Sequence, residues 1–477
     1  MGRMGPPSRL AFTAAVLSLS VGACAAVGPN YNRPQVPVPA EYRFVDGAQA
    51  QSLADTPWWQ VFDDPALQAL IREALGNNLD LRVAAARVEE ARARAGIAKS
   101  YLYPQVDGVA SYSVRQASTT NQDNTQTSQN AGDDTTHQSA IYGFQLSWEI
   151  DLFGRLRRER EAAAALALAS EQGRRGVLVT LVGDVATNYF LLRELDLQLE
   201  IARQTLRLND ETVKYFRDRL EGGVSNRLEL DRIQANRAQT AASIPNIEQQ
   251  IAIVEHALSL LLGRPPGPVG RERLAPGDGL PPPIPAGLPA SLLERRPDIA
   301  EAEQLLVSAN ADVGAAKALF FPAISLTGFL GGVSGDLTRF LGGEGAVWSV
   351  GASALQPLFQ AGRLRRNLEA MRARYDAAVA DYQKAALNGY REVANALVTI
   401  QKLAVIRVER QISVVALQDA SDLSRSRYES GLASYLEILT VDQDLFQQQL
   451  LLAETHGAEL RARAELYRAL GGGWQQP

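Results

Sequence analysis

Four short segments of the chain alternate apolar and polar side chains with the period of a β-strand. Two lie within 104–150 and two within 322–356. The large apolar side chains that define the clearest faces are Tyr142, Phe144, Leu146, Trp148 and Trp348. Strands of about ten residues with aromatic residues on the apolar face are typical of membrane-spanning strands, which face lipid on one side and water on the other. A half-buried strand of a soluble sheet alternates in the same way, so the pattern alone leaves both interpretations open.

Two long stretches without proline follow the strand pairs and predict unusually long helices. They cover 155–222 and 363–430, about 68 residues each, or about 100 Å at 1.5 Å per residue if continuous. Apolar residues recur along the second stretch at steps of three and four, which provides a seam for a neighbouring helix. Gly222, Gly223 and Gly431 mark their ends, because the end of a helix often needs a residue with positive φ. A return helix is predicted after each turn, so each half ends in a helical hairpin.

The two halves of the sequence repeat one another at nearly constant offsets. The segment 98–104 returns at 316–322, an offset of 218, and the segment 154–158 returns at 362–366, an offset of 208. Agreement over this length is not expected by chance, and the unit is too long for a solenoid repeat. We therefore predict two similar halves of one architecture.

The N-terminus carries the pattern of a secretion signal. Arg3 and Arg9 supply positive charge, and a short apolar stretch ends in Leu19-Ser20-Val21-Gly22-Ala23-Cys24, which resembles a bacterial lipoprotein cleavage box. Cys24 is the only cysteine, so an intramolecular disulfide is impossible. An incidental thiol is the alternative, but the position after small residues at the end of an apolar run favours lipidation of Cys24. By the same resemblance, Ala25 rather than Asp favours export to the outer membrane.

These patterns together predict the organisation of the chain. The segments are a signal peptide (1–23), a lipidated extended segment (24–60), a first repeat (61–263), a Pro- and Gly-rich crossover (264–290), a second repeat (291–471) and a C-terminal tail (472–477). Each repeat comprises a helix, a strand pair and a long helical hairpin. The polar loop 117–138 joins the first strand pair and is expected to be exposed; its role stays open.

The composition excludes several classes of function. Of 477 residues, 48 are basic and 53 acidic, and the net charge of −5 indicates no surface for nucleic acid. His137, His256 and His456 are far apart in the sequence, and we find no metal-ligand spacing, phosphate-binding loop or nucleophile motif. We therefore expect no catalytic residue, cofactor or metal. Beyond the signal, no apolar run reaches the length of a membrane-spanning helix, so a membrane passage would have to use strands.

Several motifs resemble those of one known family. They are Cys24-Ala25-Ala26-Val27-Gly28-Pro29-Asn30-Tyr31, Trp58-Trp59 ahead of Phe62-Asp63-Asp64-Pro65, Arg295-Arg296-Pro297-Asp298-Ile299, and Arg427-Tyr428 followed by Gly431. Together they are similar to the outer-membrane factors, the TolC-like channels of tripartite efflux pumps. The lipoprotein signal is that of the members that pair with resistance-nodulation-division transporters.

The resemblance implies an α+β membrane protein with four transmembrane β-strands per chain. Four strands cannot close a barrel, whose smallest common form has eight, whereas three copies supply the twelve strands of a trimeric barrel. A long periplasmic α-helical barrel continues it. The implied partners are two further copies of the chain, a periplasmic adaptor, an inner-membrane transporter and outer-membrane lipid. The implied function is that of a passive duct through which small molecules leave the cell.

The family also implies candidate gate residues near the hairpin turns. In such channels, acidic residues after the turn narrow the closed periplasmic end, and a tyrosine before the turn helps to hold neighbouring helices. The matching positions are Tyr428 and Glu437 in the second hairpin and Glu229 in the first, with Asp231 beside it; Thr440 stands where relatives often place another carboxylate. Alternatively, Glu229 and Glu437 are solvated acids at helix starts, which the helix dipole favours.

Two other functions deserve comparison. A lipid-anchored periplasmic adaptor of such a pump would show one hairpin flanked by β-rich modules, not two hairpins with four amphipathic strands. A lipid-anchored enzyme would need a polar constellation that the sequence lacks. The sequence does not indicate the exported compounds, the particular adaptor and pump, or whether the tip is closed at rest.

Overall fold

The computed structural model describes residues 26–39, 58–116, 136–271, 292–335 and 345–472. Several sequence-based assignments lie outside these ranges: the signal peptide (1–23), Cys24, most of the loop 117–138, most of the crossover 264–290 and the tail after 472.

The helices and strands follow the order that the repeat predicts. In chain order they are a 3-10 helix (Trp58–Phe62), α1 (Pro65–Asn77), α2 (Leu79–Ser100), β1 (Gln105–Gln116), β2 (Thr136–Ile150), α3 (Arg155–Glu221), α4 (Arg227–Leu261), α5 (Leu292–Arg295), α6 (Pro297–Ala318), β3 (Ala323–Ser334), β4 (Ala346–Leu355), α7 (Arg363–Glu429) and α8 (Tyr435–Ala469). The long helices α3 and α7 have 67 residues each, and the return helices α4 and α8 have 35 each. The duplication therefore extends to matched helix lengths.

The chain divides into two compact units. Of the described residues, those within 1–34, 89–168 and 303–380 form the first unit, and those within 35–88, 169–302 and 381–477 form the second.

The first unit contains a four-stranded antiparallel sheet in the order β1-β2-β3-β4. Phe144 of β2 lies opposite Gly108 of β1 and Leu330 of β3, and Leu330 lies opposite Trp348 of β4. Because residues on one face of a strand are two apart, this register places the apolar positions of all four segments on one face. Gln145 and its neighbours at odd positions face the other way.

The N-terminal segment packs within the same unit. The backbone N–H of Val27 donates to the carbonyl oxygen of Phe153 at 3.0 Å. Gly28 has a φ of +112°, and a Cβ at this position would lie 2.5 Å from the Cα of Gly314. Both the conformation and the close approach require glycine, which gives the Gly28-Pro29 motif a structural reason.

The second unit holds the largest core of the described residues. Trp58 is 1% exposed and stacks on Tyr467 of α8 with ring centroids 5.0 Å apart. Asp64 caps the start of α1, and its carboxylate accepts hydrogen bonds from the Tyr189 hydroxyl at 2.7 Å and from Arg193 at 2.8 Å. Through these contacts, the motif around Trp58 and Asp64 packs the start of α1 against α3 and α8. Removing Asp64 would break this buried ion pair, which is destabilising.

One expectation about α3 is wrong. This helix contains an 18-residue window that is long and apolar enough to cross a bilayer, although no such run was expected beyond the signal. However, 56% of that window is buried inside the protein, and α3 supplies Val182, Val185 and Leu192 to the core of the second unit. The apolar composition is therefore explained by packing in the protein core.

Candidate channel site at the hairpin ends

Each long helix ends in a glycine turn that leads into the return helix. Gly223 has a φ of +73° and Gly431 a φ of +71°, a conformation that costs other residues energy. In both turns the backbone N–H of the residue after the glycine donates to the carbonyl oxygen five residues earlier. The distance is 2.9 Å from Val224 to Arg219 and 2.8 Å from Leu432 to Arg427. This is the Schellman arrangement, which satisfies the last carbonyl groups of the helix. Gly222 belongs to the first of these turns.

An apolar cluster joins the two hairpins next to their turns. Phe216 of α3 is 1% exposed, and its ring centroid lies 4.3 Å from that of Tyr435 in α8 and 6.2 Å from that of Tyr428 in α7. Leu230 and Ile233 of α4 are buried in the same group, and Val213 and Leu220 of α3 pack against it. We call this group the tip cluster. All four hairpin helices contribute to it, so it holds the two halves of the repeat together at this end.

Only Tyr428 of the tip cluster was identified from the sequence. Phe216 and Tyr435 were missed because a single aromatic residue in a long amphipathic helix does not reveal its partner in another hairpin. Burial raises the pKa of the Tyr428 hydroxyl, and it raises the pKa of Tyr435 to about 12. Both hydroxyls are therefore protonated at neutral pH, and the tyrosines contribute no charge.

Arg219 lies at the edge of the tip cluster. Its guanidinium carbon is 5.5 Å from the ring centre of Tyr215 and 5.9 Å from that of Tyr428. Its Nη1 donates to the Tyr215 hydroxyl at 3.0 Å. Cation–π contacts at exposed sites contribute about 0.5–1 kcal/mol each. The repeat is the sequence feature that could have indicated Arg219, because this residue corresponds to Arg427 at the offset of 208.

Glu229 lies in the first turn of α4, where Asn226 is the capping residue. The Glu229 N–H donates to the Asn226 side chain at 2.9 Å, and the Glu229 carboxylate accepts from the Ser225 hydroxyl at 2.8 Å. Asp231 is exposed and lies 3.5 Å from Arg227, one helical turn earlier. These contacts fit a helix start that is stabilised by acidic residues, and they leave the carboxylates at the surface of the single chain.

Glu437 occupies the matching position in α8. Its carboxylate lies 3.3 Å from Nε of Arg427, and the two side chains are 43% and 47% exposed. The hydroxyl of Thr440 donates to the carbonyl oxygen of Leu436 at 2.9 Å, within its own helix. The structure therefore places Glu229 and Glu437 at equivalent points beside the two turns, each with local partners, and it places no acid at position 440.

The strand residues singled out from the sequence form an apolar surface of the sheet, on which Tyr142, Phe144 and Trp348 are exposed and Leu146 and Trp148 are half-buried. Tyr142, Phe144, Leu146 and Trp148 of β2 lie on the same face as Trp348 of β4. Phe144 is 62% exposed and Trp348 76% exposed. A contiguous apolar surface of this kind marks contact with a membrane or a partner.

A family model supplies the decisive comparison. The model described as "Outer membrane efflux protein" matches residues 70–264 and again residues 288–472, so it covers both halves of the repeat. This chain belongs to the outer membrane efflux protein family.

Relatives in this family match almost the full length of the chain. The cation efflux system protein CusC of Escherichia coli O6:H1 is 34% identical over 99% of this chain and 100% of its own length. The probable outer membrane lipoprotein SilC of Salmonella typhimurium is 33% identical over 97% and 99%. The toluene efflux pump outer membrane protein TtgC of Pseudomonas putida is 34% identical over 97% of this chain and 95% of its own length.

Solved structures of such channels share the fold. The outer-membrane channel OprN superposes with a TM-score of 0.86 at 31% identity, over 95% of this chain and 100% of OprN. The open state of the Neisseria gonorrhoeae channel MtrE superposes with a TM-score of 0.81 at 28% identity, over 94% and 99%.

Membership in the outer membrane efflux protein family confirms several expectations. The chain is an outer-membrane channel component of a tripartite efflux system, and its fold class is that of a trimeric β-barrel continued by a helical barrel. Its partners are further copies of itself, an adaptor and an inner-membrane transporter. The matching family is that of outer membrane efflux proteins, which does not support the adaptor alternative, and the relatives are channel proteins.

The N-terminal motif of this efflux protein has a defined place beside the strands. Ala26 packs against Gly154, since a Cβ at 154 would lie 2.5 Å from the Cβ of Ala26. Gly154 lies between the last residue of β2, Ile150, and the first residue of α3.

Proposed function

We propose that this protein is the passive exit duct of its efflux system. Three copies enclose a water-filled passage, the inner-membrane transporter supplies the energy, and the duct itself catalyses no reaction. The observation that supports this most strongly is the sheet in the first unit. Its apolar positions gather on one face, its polar positions on the other, and its two edge strands, β1 and β4, are left to pair with other copies.

The strand residues Tyr142, Phe144, Leu146, Trp148 and Trp348 face lipid in this proposal. Gln145 and the other odd-numbered polar positions then line the lumen. A sheet that separates hydrocarbon from water needs both faces, and closure into a barrel removes the unpaired backbone groups that a bilayer cannot satisfy.

The hairpin turns form the periplasmic entrance of the duct. The tip cluster holds the four helices of each chain together, and Glu229 and Glu437 carry negative charge beside the turns. When three chains surround one axis, six such carboxylates narrow the entrance and attract cations, so they raise the cost of anion passage. Asp231 adds charge at the rim, and Thr440 leaves the next position of the second hairpin uncharged.

The proposal assigns the choice of cargo to the transporter. Among the described residues, no group of three or more His, Cys, Asp or Glu side chains could hold a metal ion. Met371 is the only methionine after the predicted signal peptide. The names of the relatives refer to cations and to toluene, which fits a duct that accepts what different transporters deliver.

Deletion of the gene tests the proposed transport role. The deletion strain should accumulate dyes and become more sensitive to a set of drugs, detergents and solvents, and a plasmid copy of the gene should reverse both effects. The matched control is a plasmid copy that lacks residues 346–355, the strand β4. An unchanged profile in every compound class, with the transporter expressed, would refute the transport role.

Lipidation is tested separately with Cys24→Ser. This variant should lose incorporation of radiolabelled palmitate but still form trimers in the outer membrane, because a single lipid anchor is weaker than a closed barrel. Continued palmitate incorporation by Cys24→Ser would contradict the assignment of Cys24.

A further inference from the structure

Within the described residues, the sheet ends in two edge strands whose outer sides have no partner strand in the single chain. These are β1 and β4, and the antiparallel order β1-β2-β3-β4 makes β4 antiparallel to β1 of a neighbouring copy. Unpaired backbone groups at membrane depth are costly, so the proposed trimeric duct requires this pairing. The requirement alone does not set which residues lie opposite each other. The register of this junction, which we call the seam, follows from the internal repeat.

The strand pairs of the single chain obey a simple numerical rule. The numbers of two paired residues always add up to 252 between β1 and β2, to 474 between β2 and β3, and to 678 between β3 and β4. Raising the β1 numbers by 218 and the β2 numbers by 208 converts the first register into the third. These are the two offsets that the sequence shows outside the strands. The repeat therefore holds for the geometry of the sheet and not only for the sequence.

The same conversion predicts the seam. In the repeat, β2 corresponds to β4, and β3 corresponds to β1 of the partner subunit. Raising the β2 numbers by 208 and lowering the β3 numbers by 218 changes the sum from 474 to 464. We propose that β4 of one subunit pairs with β1 of the next in the register where paired numbers add up to 464. Ser353 then lies opposite Ser111 of the partner subunit, and Ala354 opposite Ala110 of the partner subunit.

A separate observation supports this register. The last three residues of β2, Trp148–Ile150, pair only with β3, because β1 begins at Gln105 opposite Ser147. Their counterparts at the offset of 208 are residues 356–358, which should pair only with β1 of the partner subunit. In the single chain β4 stops at Leu355.

The exposure of these residues agrees with the missing partner. Leu358 is 92% exposed and Val106 is 61% exposed. In the proposed register Leu358 lies opposite Val106 of the partner subunit, as Ile150 lies opposite Ile324 within the chain. Pro357 stands between Gln356 and Leu358, and a strand tolerates proline where the missing N–H points away from the partner.

Other registers are distinguishable. A slip of one residue would turn the apolar face of one subunit toward the lumen relative to the next. A slip of two residues leaves the apolar side chains of both subunits on the same face. Paired numbers then add up to 462 or 466, and the seam no longer matches the junction between β2 and β3 inside the chain. The test must therefore resolve steps of two residues.

Disulfide trapping has this resolution. Directly opposite Cα atoms are about 4.5–5.5 Å apart and diagonal neighbours about 7–8 Å, whereas a disulfide needs less than about 7 Å. The in-register variant is Ser353→Cys with Ser111→Cys. Its matched controls are Ser353→Cys with Ser113→Cys and Ser353→Cys with Val109→Cys, which report the sums 466 and 462. Ala354→Cys with Ala110→Cys repeats the test one residue away, where the hydrogen-bonding type of the pair alternates.

The variants are compared in outer membranes on non-reducing gels after mild oxidation. A further pair, Ser325→Cys with Ser353→Cys, joins paired residues of one chain and checks that oxidation reaches this depth. The proposal predicts covalent dimers and trimers for at least one of the two in-register pairs, at least tenfold more abundant than for either control. Two outcomes overturn the register alone. One is that a control pair cross-links more than the in-register pairs; the other is that no pair cross-links between chains although the protein still migrates as heat-dissociable trimers. Absence of trimers for wild-type protein overturns the duct as well.

Discussion

Truncation of Phe216 is expected to loosen the hairpin ends. The Phe216 side chain is 1% exposed and contacts aromatic residues of the other hairpin, Tyr428 and Tyr435. Replacing a buried phenylalanine by alanine costs about 3–5 kcal/mol. The lower end applies here, because Tyr428 is partly exposed and the cavity can be reached by neighbouring side chains. About 3 kcal/mol corresponds to a shift of about a hundredfold in favour of the separated hairpins.

Single-channel recording of the purified trimer measures this shift. Phe216→Ala should raise the time spent in high-conductance states, and cells that carry it should become sensitive to large polar antibiotics that the outer membrane normally excludes. The adjacent Tyr215→Ala is the matched control. Tyr215 is 52% exposed, and its loss removes the contact with Arg219, worth about 0.5–1 kcal/mol, and an edge-to-face contact with the Phe216 ring at 5.4 Å, but it opens no buried cavity. Equal effects of the two variants, or no change in either measurement for Phe216→Ala, would contradict the inference that the tip cluster holds the hairpin ends together.

Three further predictions concern the sheet, the acidic residues and a buried glutamate. Phe144→Lys should destabilise the trimer by about 2–4 kcal/mol, whereas Gln145→Lys should be nearly neutral; equal dissociation temperatures of the two trimers on heated gels would contradict the lipid-facing assignment. The double variant Glu229→Gln with Glu437→Gln should show weaker cation selectivity and weaker block by divalent cations in bilayer recordings, and unchanged values would leave both residues a helix-capping role only. Burial raises the pKa of Glu194 from 4.5 to about 7, against the opposing charge of Arg461. The folded chain therefore holds this proton more tightly than the unfolded chain, and the resulting stability is lost as the pH rises through about 7. The thermal midpoint should fall between about pH 5 and pH 8 in wild type and fall less in Glu194→Gln; an identical fall would assign it to other groups.

The ends of the long helices could be predicted to within about a residue because the sequence signals that mark them are local. The absence of proline and the glycine turns predict helices over 155–222 and 363–430, and the structure has Arg155–Glu221 and Arg363–Glu429. Signals that end a helix, such as these glycine turns, depend on only a few neighbouring residues. The alternation of the strands is equally local, and the repeat then indicates that the four segments belong together.

Contacts between distant segments could not be predicted. Phe216 and Tyr435 meet in the tip cluster, and Asp64 meets Arg193 in the core, but neither residue of either pair carries a sequence signal for its partner. The apolar window of α3 was overlooked in the sequence, and apolar composition alone would not have distinguished a protein core from a bilayer. The roles of Glu229 and Glu437 stay predictions because a capping acid and a gate acid look alike in sequence.

Cysteine scanning along residues 141–149 in intact outer membranes tests the central claim most directly. The only native cysteine, Cys24, is expected to be lipidated and unreactive. The account predicts that odd positions such as Gln145 react with a water-soluble, membrane-impermeant thiol reagent, and that even positions such as Phe144 react only with a lipid-soluble one. A half-buried strand of a soluble sheet would protect the even positions from both reagents, and that result, or uniform labelling along the strand, would contradict a wall between lipid and a water-filled duct.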